Sequence, residues 1–124
     1  MLTIKPVSLN PVTQTIEDHD VTVTIRRATL ADEGQRYALL FSERETAMIT
    51  DIAIVEAYLT LVECDIVTED EQPLLQAGMG YEEFVAGMTA IWQYSPDLFW
   101  KMHEVVREAN PHWNPPTEGN EPSA

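Results

Sequence analysis

Val21-Thr22-Val23-Thr24-Ile25-Arg26 is the stretch on which the fold turns. Its apolar, β-branched residues alternate strictly with polar ones, the period of a strand with one buried face. Without it, the helical periodicity of the rest would leave an all-helical chain. Upstream, Leu2, Ile4 and Val7 roughly alternate with Thr3, Lys5 and Ser8, and Pro6 and Pro11 mark an edge or a break. Residues 2–9 and 21–27 are therefore predicted to form a hairpin or two neighbouring antiparallel strands, with a polar turn around Glu17-Asp18-His19-Asp20. A two-stranded ribbon is marginal alone, so helices must cover its apolar face.

Downstream the period becomes helical. Thr29 followed by Asp32 and Glu33 approximates the Thr-x-x-acid capping pattern, after which Gly34, Tyr37, Ala38 and Phe41 fall at helical spacing. Met48, Ile49, Ile52, Val55, Ala57, Tyr58, Leu59 and Val62 give a wide apolar face and predict a second helix over 47–64. Thr68-Glu69-Asp70-Glu71 has the form of another capping box, and Pro73 sits just inside the start of a short turn that Gly78-Met79-Gly80 ends. Tyr81, Phe84, Val85, Met88, Ile91 and Trp92 form one apolar stripe. Ser95-Pro96-Asp97 is a helix start with a capping hydroxyl, a first-turn proline and an acid favoured by the helix dipole. Leu98, Phe99, Met102, Val105, Val106 and Ala109 continue that helix until Asn110-Pro111 stops it. From His112 on, the prolines and polar residues leave little to bury. The expected fold class is α+β: a short N-terminal antiparallel β-ribbon packed on about four α-helices. One domain spans 1–111, and 112–124 form a flexible, disordered Pro-rich C-terminal tail.

The whole chain has 124 residues, room for one domain, with 44% hydrophobic and 23% charged residues. Its charge is unusual: 21 Asp and Glu against 7 Lys and Arg, a net −14. That balance repels phosphate backbones and anionic headgroups, so neither nucleic acid nor a membrane surface is an expected partner. A single cysteine, Cys64, allows neither an internal disulfide nor a cysteine-rich zinc site. No apolar run nears the roughly 20 residues that span a bilayer. Met1-Leu2-Thr3-Ile4-Lys5-Pro6 lacks the parts of a secretory signal, so a cytoplasmic location is expected.

The residues that could carry chemistry do not converge in sequence. His19, His103 and His112 lack the i, i+3 or i+4 ligand partners a helix-borne metal site uses, and they read as surface histidines. Carboxylate pairs such as Asp32-Glu33 and Glu82-Glu83 mostly fall at helix starts, where the dipole accounts for them. No nucleophile elbow, phosphate loop or dinucleotide fingerprint is present, and Cys64 reads as a buried thiol. No catalytic, cofactor-binding or metal-binding residue is therefore expected, and the chain does not read as an enzyme.

Charge distribution and aromatics say more. From Glu45 to Asp97 there are eleven acids and no Lys or Arg. This is either a solvated face that keeps the protein soluble or a surface that steers a basic partner. Trp100, His103 and Arg107 follow one another at i, i+3 and i+7 beside the apolar stripe of the last helix, with Trp113 just downstream. Trp and Arg are enriched at interface hot spots, so these four residues are the candidate partner-binding set; a partly covered core edge is the alternative.

Three phrases carry a family resemblance: Thr24-Ile25-Arg26-Arg27-Ala28-Thr29-Leu30-Ala31-Asp32, Val62-Glu63-Cys64-Asp65-Ile66-Val67, and Glu108-Ala109-Asn110-Pro111-His112-Trp113. Their order over roughly residues 20–114 resembles the tail assembly chaperones of long-tailed phages and prophages. The resemblance implies a cytoplasmic protein that binds the long tape measure protein, keeps it soluble, and helps recruit tail tube subunits without entering the finished tail. Self-association is compatible with it. It also implies a longer form made by ribosomal frameshifting, and Glu118-Gly119-Asn120 can be encoded as the slippery heptamer G-GGA-AAC. The competing expectation, from the acidic run alone, is an inhibitor or immunity-type protein that mimics nucleic acid and blocks a basic enzyme.

Overall fold

A computed structural model describes residues 10–41 and 49–113. Strand β2 (Val21–Ile25) is the centre of a three-stranded antiparallel sheet in the order β1-β2-β3. Val21, Val23 and Ile25 are buried, as the alternation requires. On the other face, Thr13 meets Thr24 at 2.8 Å and Thr15 meets Thr22 at 3.1 Å, hydroxyl to hydroxyl across β1 and β2.

The strand beside β2 is β1 (Val12–Ile16), in register Val12 to Ile25 and Ile16 to Val21. The segment expected there, 2–9, lies outside the described residues. β1 carries no strand signal of its own, since Thr13, Gln14 and Thr15 give it no apolar alternation and only Ile16 is buried. The link is the polar turn at 17–20, a single 3₁₀ turn closed by left-handed Asp20, whose N–H donates to the Glu17 carbonyl.

Helix α1 (Leu30–Phe41) starts with the reciprocal cap that Thr29 and Asp32 promise. Asp32 N–H donates to Thr29 Oγ1 at 3.1 Å, and Thr29 N–H donates to Asp32 Oδ2 at 2.8 Å. Helix α2 (Ile49–Thr60) is buried nearly all round and is the central helix. The helix predicted over 47–64 ends early, because Leu61–Cys64 is strand β3 on the open edge of β2. Periodicity could not separate the two, since a short apolar run suits either element. The Arg26 N–H donates to the Thr60 carbonyl, so the helix passes directly into the sheet.

The expected capping box at 68–71 opens no helix. Thr68 and Gln72 instead exchange backbone and side-chain hydrogen bonds across a tight turn, with Glu71 at φ 60° and a bridge from Val67 to Pro73. Helices α3 (Tyr81–Tyr94) and α4 (Pro96–Ala109) stand where expected. Ser95 Oγ accepts the Leu98 N–H, and Pro96 occupies the first turn of α4. Gly87 lets α3 press on Leu74 and Leu75: a Cβ there would lie 2.6 Å from Leu75 Cδ2 and 3.1 Å from the Leu74 carbonyl oxygen.

Helix α4 crosses the apolar face of the sheet, and one core runs from Val23 and Ile25 through Phe84 and Met88 to Phe99 and Met102. The architecture is thus the expected α+β. The boundary at 111/112 needs correction: Pro111–Trp113 forms a 3₁₀ turn and Trp113 is buried in that core, so 112 and 113 belong to the described domain rather than to a tail. Residues 114–124 lie outside the described residues. Among the described residues, no helix is long and apolar enough to cross a membrane.

Candidate functional site

The described domain's most concentrated polar chemistry lies inside it, where α1, α2 and α4 meet. Glu56, on the central helix, is fully buried. Its Oε1 accepts from His103 Nε2 at 2.7 Å and from Arg107 Nε at 2.7 Å. Its Oε2 accepts from Arg36 Nε at 2.9 Å and from Arg107 Nη2 at 3.1 Å. A carboxylate can only accept, so His103 Nε2 carries a proton in this contact. Burial pushes the Glu56 carboxyl up, but the donors from His103, Arg107 and Arg36 outweigh it and hold the group below its ordinary range.

A second layer encloses the first. Arg36 also donates to Glu33 Oε1 at 3.1 Å, and its guanidinium lies over the Trp113 ring, 5.2 Å from the centroid. Trp113 Nε1 donates to Glu33 Oε2 at 2.6 Å. On the other side the half-buried Trp100 ring packs edge-on against His103, centroids 6.1 Å apart.

All four candidate partner-binding residues therefore gather around one point, yet they face inward. Trp113 is buried, His103 and Arg107 have side chains only 13% and 16% exposed, and Trp100 is half-buried. They form a strut that ties α4 and the chain beyond it to α1 and α2. His103 is thus a hydrogen-bonded interior histidine rather than a surface one. His112 is exposed, and His19 is half-buried with Nε2 2.9 Å from Asp97 Oδ2. Glu56 itself was grouped with the solvated acids. The available signal was a lone acid within Ala53-Ile54-Val55-Glu56-Ala57-Tyr58-Leu59, where a helix apolar on every side leaves it no route to water.

Two other polar clusters hold elements together. Arg26 grips Asp32 with both guanidinium arms, at 2.6 and 3.1 Å, and donates to the Leu59 carbonyl. Burial pushes the Asp32 carboxyl up, but its bonds from Arg26 and Thr29 more than reverse that and leave it lowered. Lys101 pairs with Asp18, and with Asp97 at 3.2 Å, binding the hairpin turn to α4. Those groups are exposed and contribute little. The Cys64 thiol is buried and its pKa is raised, first by desolvation, so it is no ready nucleophile.

The inward turn of these polar groups leaves α1 inverted. Asp32, Arg36 and Leu40 point to the interior; Leu30, Tyr37 and Phe41 are exposed, Leu30 at 90% and Tyr37 at 64%. With Gly34 they occupy an arc of about 60° on the opposite side of the helix. The Tyr37 and Phe41 rings touch, with centroids 5.2 Å apart. That the stripe Gly34, Tyr37, Phe41 faces solvent is not legible locally, because the inward polar face is satisfied by other elements.

A groove lies between the hairpin turn, the 65–74 segment and the junction of α3 with α4, enclosing about 590 Å³. Among the described residues no three His, Cys, Asp or Glu side chains gather as a metal site would require. No known protein family, curated protein or solved structure matches the chain.

Proposed function

We propose that this protein works by contact, as an assembly chaperone of the phage-tail type that holds a long, apolar, helical client in solution. The observation that carries this reading is the outward apolar stripe of α1, Leu30, Tyr37 and Phe41, on a body of net charge −14. An amphipathic helix from a client would lay its own apolar face along such a stripe. The acidic body would keep the complex soluble and keep copies of it apart. The client of this reading is the tape measure protein, engaged in the host cytoplasm before tube assembly, with tail tube subunits as further partners. The chaperone would be absent from the mature tail, and no reaction or cofactor enters.

On this reading Trp100, His103, Arg107 and Trp113 are not the docking face. Their contacts support a scaffold function, holding α1 so that its polar side faces in. The rival reading, a nucleic-acid mimic, needs open rows of carboxylates. Glu56 and Asp32 are buried, and Asp18, Asp65 and Asp97 are engaged by Lys101, the Thr22 N–H and His19 respectively, which favours the chaperone.

Co-expression with a candidate tape measure protein is the test. The chaperone reading expects its soluble yield to rise several-fold, and Leu30→Ser with Tyr37→Ser to cancel the rise while this chain stays folded. An unchanged yield overturns it, as does tight, salt-sensitive binding to a basic nuclease instead.

A further inference from the structure

The groove at the α3–α4 junction has a composition that specifies its occupant. Val67 and Tyr94 stand at its lips, 54% and 81% exposed, and Leu74 lies half-buried between them. Large apolar side chains left this open, on opposite walls of one concavity, are what a binding surface shows and what a solvated loop avoids. Around them stand Asp20, Asp65 and Glu69, all exposed. None of the residues lining the groove is Lys or Arg, and the lining imidazole, His19, is turned to Asp97. An apolar floor inside an acidic rim focuses a negative potential where the dielectric is low. An acidic apolar segment would be repelled at the rim, a neutral one would gain nothing from the rim, and a purely basic one would gain nothing from the floor.

We infer that this groove is a second protein-docking site, one that takes a basic amphipathic segment of another polypeptide: apolar side chains seated between Val67 and Tyr94, flanked by Lys or Arg that meet Asp20, Asp65 and Glu69. Tyr94 is the anchor, since an aromatic with a polar end and two torsions contributes large contact area for little lost freedom. The rim sets the association rate and gives binding a steep dependence on salt. No residue of α1 lines this groove, so the inference goes beyond the chaperone reading and the two stand or fall separately.

The test uses the full chain and a fluorescein-labelled 14-residue peptide with Leu at positions i, i+3, i+4 and i+7 and Lys elsewhere. A second peptide carries Glu for every Lys. Fluorescence anisotropy at 50 and 300 mM salt gives the affinities, and amide chemical-shift mapping gives the place. The lysine peptide is expected to shift residues 65–74 and 90–94 and to bind at least tenfold more tightly than the glutamate peptide. Tyr94→Ser should weaken it about fivefold or more, and Asp20→Asn with Glu69→Gln should do the same while flattening the salt dependence. Glu104→Gln, an exposed acid of α4 outside the groove, should change nothing. All these side chains are exposed, and an unchanged melting temperature shows each variant folded. Absence of binding overturns the inference. So do shifts scattered over the acidic surface, and so does an affinity that Tyr94→Ser leaves intact or Glu104→Gln abolishes.

Discussion

Replacing Glu56 by Gln removes one charge and moves almost no atoms, which makes it the sharpest probe of the interior. In the native protein Oε1 and Oε2 accept from two guanidiniums and one imidazole, on α1 and α4. The amide nitrogen of Gln would present donors to donors, and the Arg36 and Arg107 guanidiniums, 18% and 16% exposed, would keep their charges with no anion between them. Breaking a buried ion pair in this way costs about 3–5 kcal/mol, because the guanidiniums stay desolvated and Arg36 keeps only the partly exposed Glu33. Against a total stability of about 5–15 kcal/mol, that loss is large. For a domain this size it corresponds to roughly 10–20 °C in melting temperature. With a urea slope of about 1.5 kcal/mol/M, the midpoint falls by roughly 2–3 M. Urea denaturation followed by tryptophan fluorescence reads this directly, since Trp113 and Trp100 flank the cluster. Glu104→Gln, an exposed acid on the same helix as His103, is the control and should stay within about 0.5 kcal/mol. Removing the whole cluster together, Glu56→Leu with Arg36→Met, His103→Leu and Arg107→Met, should restore part of the loss, since neither guanidinium is then left without its buried carboxylate. A Glu56→Gln cost under about 1 kcal/mol would refute the reasoning, because the guanidiniums would then be finding water.

Other consequences are nearer to hand. Gly87→Ala should gain about 1 kcal/mol of helix propensity, yet the contact with buried Leu75 and the Leu74 carbonyl outweighs it. A net loss of about 1–2 kcal/mol in thermal denaturation is expected, and a more stable variant would contradict the packing. Asn110→Ala removes the acceptor of the Ala28 N–H and the donor to the Arg26 carbonyl, both inside the domain, and should cost about 2–3 kcal/mol by urea denaturation. Acid should unfold the protein with Glu56 contributing. Its folded pKa is lowered, so its stabilisation is complete above the ordinary value of 4.5 and disappears as pH falls through the lowered one. Melting temperature against pH should therefore fall more steeply below that point for the native chain than for Glu56→Gln. Equal slopes would mean that Glu56 does not titrate with folding. Cys64 should react with a thiol reagent only at the rate of opening, and stoichiometric reaction in the native state would place it outside the core.

The elements that were legible in sequence are those whose signals are local. The alternation of β2, the Thr29 and Ser95 caps, and the 3.6-residue stripes of α3 and α4 each depend on neighbours within a turn or two. β1 was not legible because its stability comes from cross-strand threonines and from Gln14, which donates to Glu108 on α4 at 2.6 Å. β3 was absorbed into the helix before it, since only the open edge of β2 tells Leu61 and Val62 to extend. The interior cluster was half legible. Trp100, His103, Arg107 and Trp113 lie close in sequence, but the acceptors of His103, Arg107 and Trp113, Glu56 and Glu33, lie 47 or more residues away. Without those partners in view, residues typical of an interface and residues of a buried ion cluster look alike. The same blindness hid the outward stripe of α1, which faces solvent because Asp32 and Arg36 are satisfied within.

The contact role proposed for α1 can be measured most directly by cross-linking. A photoreactive benzoylphenylalanine placed at Tyr37, in cells that co-express the tape measure protein, should join this chain to that client on irradiation. The same probe at exposed Glu104 should not. Cross-links from position 104 and none from position 37 would contradict a client-binding face on α1.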